Sequence, residues 1–171
     1  MVHVREMGAA DIEAVSTIRV RGWQAAYVGM VPQTYLDAMT VEGDARQRRQ
    51  WFSQSGRKSR DLVALGDRCP VGWICFGPCR SEVSGLGRVG EVYALYILPD
   101  LIGQGIGRSL LGEAHAQMKD QGFEASALWV LGDNQRAQRF YERAGYQADG
   151  AAQDDVYDGI TLTELRYQRV L

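Results

Sequence analysis

Along this chain the apolar positions change period several times, and each change marks an element. Residues 2–5 alternate apolar and polar side chains as a short strand does. From Asp11 the spacing turns helical: Ile12, Val15 and Ile18, then Trp23, Ala26 and Tyr27, fall on one side. Gly29 and Pro32 end that helix, because proline has no N–H to donate. A second helical stretch carries Tyr35, Leu36 and Met39, and a third spans about 42–52. The apolar runs 62–65 and 71–76 predict two strands, joined by the turn-forming Gly66-Asp67-Arg68-Cys69-Pro70.

The second half is more regular. Gly85, Gly87 and Gly90 mark a loop before a strand at 91–98. A helix follows with Ile106, Leu110, Leu111, Ala114 and Met118 on one side, and it stops at Gly122. The unbroken apolar run 125–131 predicts a strand covered on both faces. Asn134 is suited to cap a helix over 135–144, with Gly145 closing it. Over 161–171 Leu165 and Tyr167 fall on one face, and Glu164, Arg166 and Gln168 on the other. The loop before this last strand is expected to hold Asp154, Asp155, Tyr157 and Asp158. These acids read either as a solvated turn or as an attraction for a cation. The order β-α-α-ββ-β-α-β-α-ββ describes one α/β domain over residues 1–171 with a mixed sheet.

Composition narrows the class. The 171 residues suffice for one full core and not for two ordinary domains. A net charge of −2, with no basic tract, argues against a nucleic-acid partner. Residues 1–8 hold no leader-like apolar segment, and no run approaches the ~20 residues of a membrane span. Cys69, Cys75 and Cys79 lack zinc-ligand spacing, and His3 and His115 have no neighbours suggesting a metal site. A cytoplasmic chain with reduced thiols and no metal or membrane partner is expected.

The candidate chemistry lies in Ile102-Gly103-Gln104-Gly105-Ile106-Gly107-Arg108, between the strand at 91–98 and the following helix. Alternate glycines remove the Cβ atoms that would hold a ligand off the backbone, so several N–H groups converge on one concavity. A helix starting there adds its unpaired first-turn N–H groups and about half a positive charge. The arrangement suits phosphate. Counting from Gly103, a dinucleotide fingerprint would need glycine where Arg108 stands, and the Lys-Ser/Thr pair of a P-loop is absent.

A second pattern sits downstream: Asn134, Ala137, Phe140, Tyr141, Gly145 and Tyr146. Together with Gly105 and Gly107, it resembles the motifs of the GCN5-related N-acetyltransferase (GNAT) family. Trp23, Tyr27, Gly29 and Pro32 also look like an opening recurrent among bacterial small-molecule members. Ile102 departs from the Arg or Gln usual at its position, which leaves the backbone, Gln104 or Arg108 to hold phosphate.

The resemblance implies a GNAT-like domain whose mostly antiparallel mixed sheet splays between its fourth and fifth strands and is flanked by helices. It implies acetyl-CoA as co-substrate, with its pyrophosphate on residues 102–108 and its pantetheine arm in the gap, near Ile97 and Asn134. Tyr141 matches the tyrosine that protonates the departing thiolate, and otherwise reads as a core aromatic. Glu91 matches a glutamate that serves some members as general base, and otherwise reads as a strand-entry residue ordering the pocket. Trp23, Tyr27, Glu91 and Tyr93 border the expected acceptor site. The implied reaction acetylates a primary amine of a small molecule. A protein or peptide acceptor, or a non-catalytic acyl-CoA sensor, remain as alternatives. A homodimer is common in the family, though no interface can be read from this sequence.

Overall fold

The computed structural model describes residues 2–171. Its strands are β1 (His3–Glu6), β2 (Arg60–Gly66), β3 (Cys69–Pro78), β4 (Val89–Ile97), β5 (Ala125–Leu131), β6 (Gln147–Tyr157) and β7 (Ile160–Val170). Its helices are α1 (Ile12–Ala26), α2 (Gln33–Ala38), α3 (Val41–Phe52), α4 (Ile106–Asp120) and α5 (Gln135–Arg143). Three helices therefore precede β2, one more than the condensed order allowed. All strands form one sheet in the order β1-β2-β3-β4-β5-β7-β6. Neighbours pair antiparallel except β4 and β5, which run parallel.

Local signals set the starts of two helices. Thr40 caps α3 by accepting from Gly43 N–H at 3.1 Å, and Glu42 and Asp44 favour its positive end. Asn134 caps α5 by accepting from Ala137 N–H at 3.1 Å.

The sheet is covered on both faces. α4 lays Ile106, Leu110, Leu111, Ala114 and Met118 against Leu62, Ile74, Phe76 and Leu128. On the opposite face Ile12, Val15 and Ile18 of α1 and Ala45 of α3 pack on Val63 and Trp73. A smaller apolar group joins Val31, Leu36, Leu131 and Tyr157, with Trp23, Tyr27 and Tyr35 packed against it.

One sequence expectation fails here. Asp154, Asp155 and Tyr157 are not in a loop: they lie on β6, paired with Thr163, Leu162 and Ile160. Only Asp158, at φ 47°, occupies the turn, where its carboxylate accepts from Thr34 at 2.7 Å. β6 is an edge strand with a register shift between Ala148 and Ala152, and its acid-rich sequence has low strand propensity. Pairing with β7 overrides that propensity.

Candidate active site

β4 and β5 pair only at Val89–Ala125, Gly90–Ser126 and Glu91–Ala127. Beyond those positions β4 stays with β3 as far as Ile97–Gly72, while β5 stays with β7 as far as Leu131–Glu164. The sheet is thus splayed between its fourth and fifth strands. A cavity of about 900 Å³ fills the gap, lined by Tyr93 to Ile97 of β4 and Trp129 to Leu131 of β5.

The edge of β4 in the gap carries free backbone groups. Leu98 N–H donates to Val71 O of β3 at 2.9 Å. Strand alternation then turns the N–H groups of Leu95 and Ile97 away from β3, into the gap.

At one end of the cavity lies the glycine loop. Ile102, Gly103, Gly105, Gly107 and Arg108 line it, whereas Gln104 does not and the Ile106 side chain is buried in the core. Among the described residues the N–H groups from Gly103 to Arg108 meet no acceptor; the first helical bond of α4 is Ser109 N–H to Gly105 O at 3.1 Å. Gly103 and Gly105 hold φ of 93° and 83°, a region that opposes side chains. A Cβ on Gly107 would stand 3.0 Å from Ile97 Cδ1, so this glycine lets α4 close on β4. Ile102, 39% exposed, offers no polar atom of its own. Arg136 and Arg143 of α5 join Arg108 along the wall, and none of the three has a carboxylate partner among the described residues. Arg136 and Arg143 were not among the expected contacts, although their spacing of two helical turns places them on one face.

Asn134 and Tyr141 share the wall with the arginines. The Asn134 cap uses only Oδ1, and Nδ2 has no acceptor among the described residues, so capping and ligand contact do not compete. Tyr141 packs edge-on to Phe140 and Tyr146, at centroid distances of 5.1 and 5.7 Å. Its hydroxyl makes no hydrogen bond among the described residues. Burial, reinforced by the neighbouring Tyr146 and Tyr27 phenols, raises its pKa and keeps it protonated.

At the opposite end, Tyr27, which ends α1, and Tyr96 of β4 share a hydroxyl–hydroxyl bond of 3.1 Å. Burial raises both phenols. Trp23 does not line the cavity; it packs behind it, 4.8 Å from the Tyr27 ring. Glu164 of β7 does line it, and was not among the residues expected to do so. Tyr93 is at the wall, but its hydroxyl is spent on Pro78 O. Burial, with Glu91 nearby, pushes the Tyr93 phenol up to about 12.

Glu91 stands apart from this group. It is 1% exposed, sits at the closed end where β4 and β5 still pair, and is absent from the cavity wall. Both carboxylate oxygens are taken by Arg80: Oε2 accepts from its N–H at 2.9 Å, and Oε1 from its guanidinium at 2.5 and 3.1 Å. The expected approach of Glu91 to an acceptor is not what its surroundings provide.

The free N–H groups, the unpaired arginines and the narrow gap between strands fit a long ligand with a phosphate end and an amide-bearing arm. A sequence model described as the acetyltransferase (GNAT) family matches residues 23–146. An uncharacterized N-acetyltransferase, YuaI, of Bacillus subtilis (strain 168) is 31% identical over 167 residues, covering 96% of this chain and 91% of that protein. A spermidine N(1)-acetyltransferase of Thermoplasma acidophilum is 22% identical, covering 86% of this chain and 89% of its own. Among solved structures, the PaiA N-acetyltransferase of Thermoplasma acidophilum in complex with coenzyme A superimposes with a TM-score of 0.76. That likeness, at 20% identity, covers 100% of this chain and 99% of the other. The chain belongs to the GNAT family of acetyltransferases, enzymes whose acyl donor is acetyl-CoA.

Proposed function

We propose that the protein transfers the acetyl group of acetyl-CoA to a primary amine of a small molecule. The observation that carries this reading is one continuous cavity. It joins the free N–H groups of Leu95, Ile97 and the glycine loop to Asn134 Nδ2 and the Tyr141 hydroxyl. In it, the loop N–H groups with Arg108, Arg136 and Arg143 hold the pyrophosphate, and Asn134 Nδ2 meets the pantetheine arm. When bound, acetyl-CoA supplies an activated thioester.

The protein's own part is charge and proton management. Ile97 N–H faces the carbonyl oxygen and stabilises the negative charge that develops there. Tyr141 holds a proton for the departing sulfur, in a dry environment where a free thiolate is costly. Glu91, clamped by Arg80 at the closed end, fixes the point from which the strands diverge. The end of the cavity lined by Tyr27, Tyr96 and Glu164 suits a small acceptor. One named relative, the spermidine acetyltransferase, acts on such a molecule.

The experiment mixes the protein with acetyl-CoA and a panel of small amines, amino acids and peptides, and follows release of free thiol. Turnover is expected on one or more small primary amines. Acetyl-CoA binding without turnover on any member would overturn the reading in favour of a sensor. Turnover confined to peptides would move it to a protein acceptor.

A further inference from the structure

The acceptor end of the cavity holds a carboxylate to which the reading above gives no task. Glu164 stands on β7 opposite Leu131 of β5 and Gln153 of β6. Opposed residues of an antiparallel pair share a face, and Leu131 packs with the group that includes Trp23 and Tyr27. Glu164 therefore faces the end of α1, half-buried, in the cavity wall. Gln153 Nε2 donates to its Oε2 at 2.7 Å, while Oε1 has no protein donor among the described residues.

Its charged and titratable surroundings are Arg19 of α1 and Tyr27 at its end, Asp155 and Tyr157 of β6, and Arg166 two positions along β7. Arg19 is bound to Asp44 at 2.8 Å and Arg166 to Asp149 at 2.6 Å, so neither cation is free for Glu164. Asp155 is exposed and accepts from Val156 N–H at 2.8 Å. Burial raises the Tyr27 and Tyr157 phenols, and Glu164 adds to both effects, so neither takes up a proton at neutral pH. A half-buried carboxylate among aromatic rings with no counter-charge calls for a cation from outside. A primary amine arrives as one: its ammonium pKa is about 10.4, and it becomes a nucleophile only after losing a proton.

We propose that Glu164 receives the acceptor's ammonium group and takes its proton. The inference rests on the acetyl-transfer reading above. An N–H bond of the ammonium breaks and an O–H bond forms at Oε1. The lone pair left on nitrogen forms the C–N bond to the acetyl carbon, and the C–S bond breaks. Sulfur takes the Tyr141 proton, and the surplus proton of the acylated nitrogen restores it. Glu164 then releases its proton to water, so the sum is an amide, a thiol and one proton. The acceptor class follows: an aliphatic amine with no negative charge beside the reacting nitrogen, because such a charge would meet Glu164 and Asp155.

The test is the pH dependence of kcat/KM for wild type and Glu164→Gln, using the best aliphatic amine of the panel. Glutamine keeps the size of the side chain and a carbonyl acceptor for Gln153. At about pH 7 the variant is expected to lose about a hundredfold, as for removal of a general base. Near pH 10 the loss should shrink to a few-fold, because the amine then enters already neutral. Acetyl-CoA affinity, read by calorimetry, is expected to stay within about twofold of wild type. A deficit constant across pH, or no deficit, overturns the assignment while acetyl transfer stands. Absence of wild-type turnover on every amine overturns the reading beneath it instead. Should Glu164→Gln fail to fold, Glu164→Asp gives the same decision. It is expected to retain the wild-type pH profile at a reduced rate, and loss of that profile's shape overturns the proposal.

Discussion

Tyr141, in the cavity wall, has a hydroxyl with no partner among the described residues, and its burial holds the proton in place until a stronger base forms beside it. Tyr141→Phe removes the proton and nothing else, since the ring packing on Phe140 and Tyr146 is retained. We expect kcat to fall by about one to three orders of magnitude with coenzyme affinity unchanged; steady-state kinetics beside calorimetry measure both. An unchanged kcat would rule out the role. Asn134 was legible as a helix cap from the residues around it, whereas Tyr141 was singled out only through the family motif. Glu91 was placed correctly on its strand, but its environment could not be read. Its partner Arg80 follows β3 in a loop, and no periodicity links the two. Glu164 shows the opposite failure. Alternation set it on the polar face of the last strand, yet Glu164 itself stands in the cavity wall.

At the level of elements, a polar chain buried beneath the sheet's covering helix ties α4 to β5. His115 Nε2 lies 2.7 Å from the Tyr146 hydroxyl, which lies 2.8 Å from Ser126 Oγ. Burial, helped by Arg169 and Lys119, pushes the His115 imidazole down from 6.5 to about 4. The folded protein therefore refuses a proton that the unfolded chain accepts. Stability contributed here is intact above about pH 6.5 and is lost progressively as pH falls towards about 4. Urea unfolding midpoints across that window should fall more steeply for wild type than for His115→Gln; equal slopes would remove His115 from the account. The elements themselves were legible where one period held over a full length, as in α4 and β5. β6 was not, because an edge strand needs to satisfy only one neighbour and tolerates polar, bulged sequence.

For the whole molecule, the splayed sheet was foreseen through the family resemblance that the two motifs carry; the apolar pattern by itself predicts only one α/β domain with a mixed sheet. Sequence did not carry the cavity's electrical polarity, with unpaired arginines near the loop and Glu164 towards α1. That polarity assembles from α4, α5 and β7, which meet only in the fold. Because the donor binds the folded state, acetyl-CoA at a hundred times its Kd should add about 2.7 kcal/mol of stability. A thermal melt with and without it reads the gain, and no shift would argue against the cavity as its site.

The parting of β4 from β5 has a mechanical side. Without a ligand, hydrogen bonding across the sheet is interrupted at its centre, and the Leu95 and Ile97 amides face the gap. An arm that accepts from those amides would restore continuity between the two halves. Amide exchange at Leu95 and Ile97 would then slow abruptly, while the outer strands, already paired, would hardly respond. The stiffness of the protein would thus report the supply of acyl donor around it: compliant at the seam when acetyl-CoA is scarce, one unbroken plate when it is plentiful.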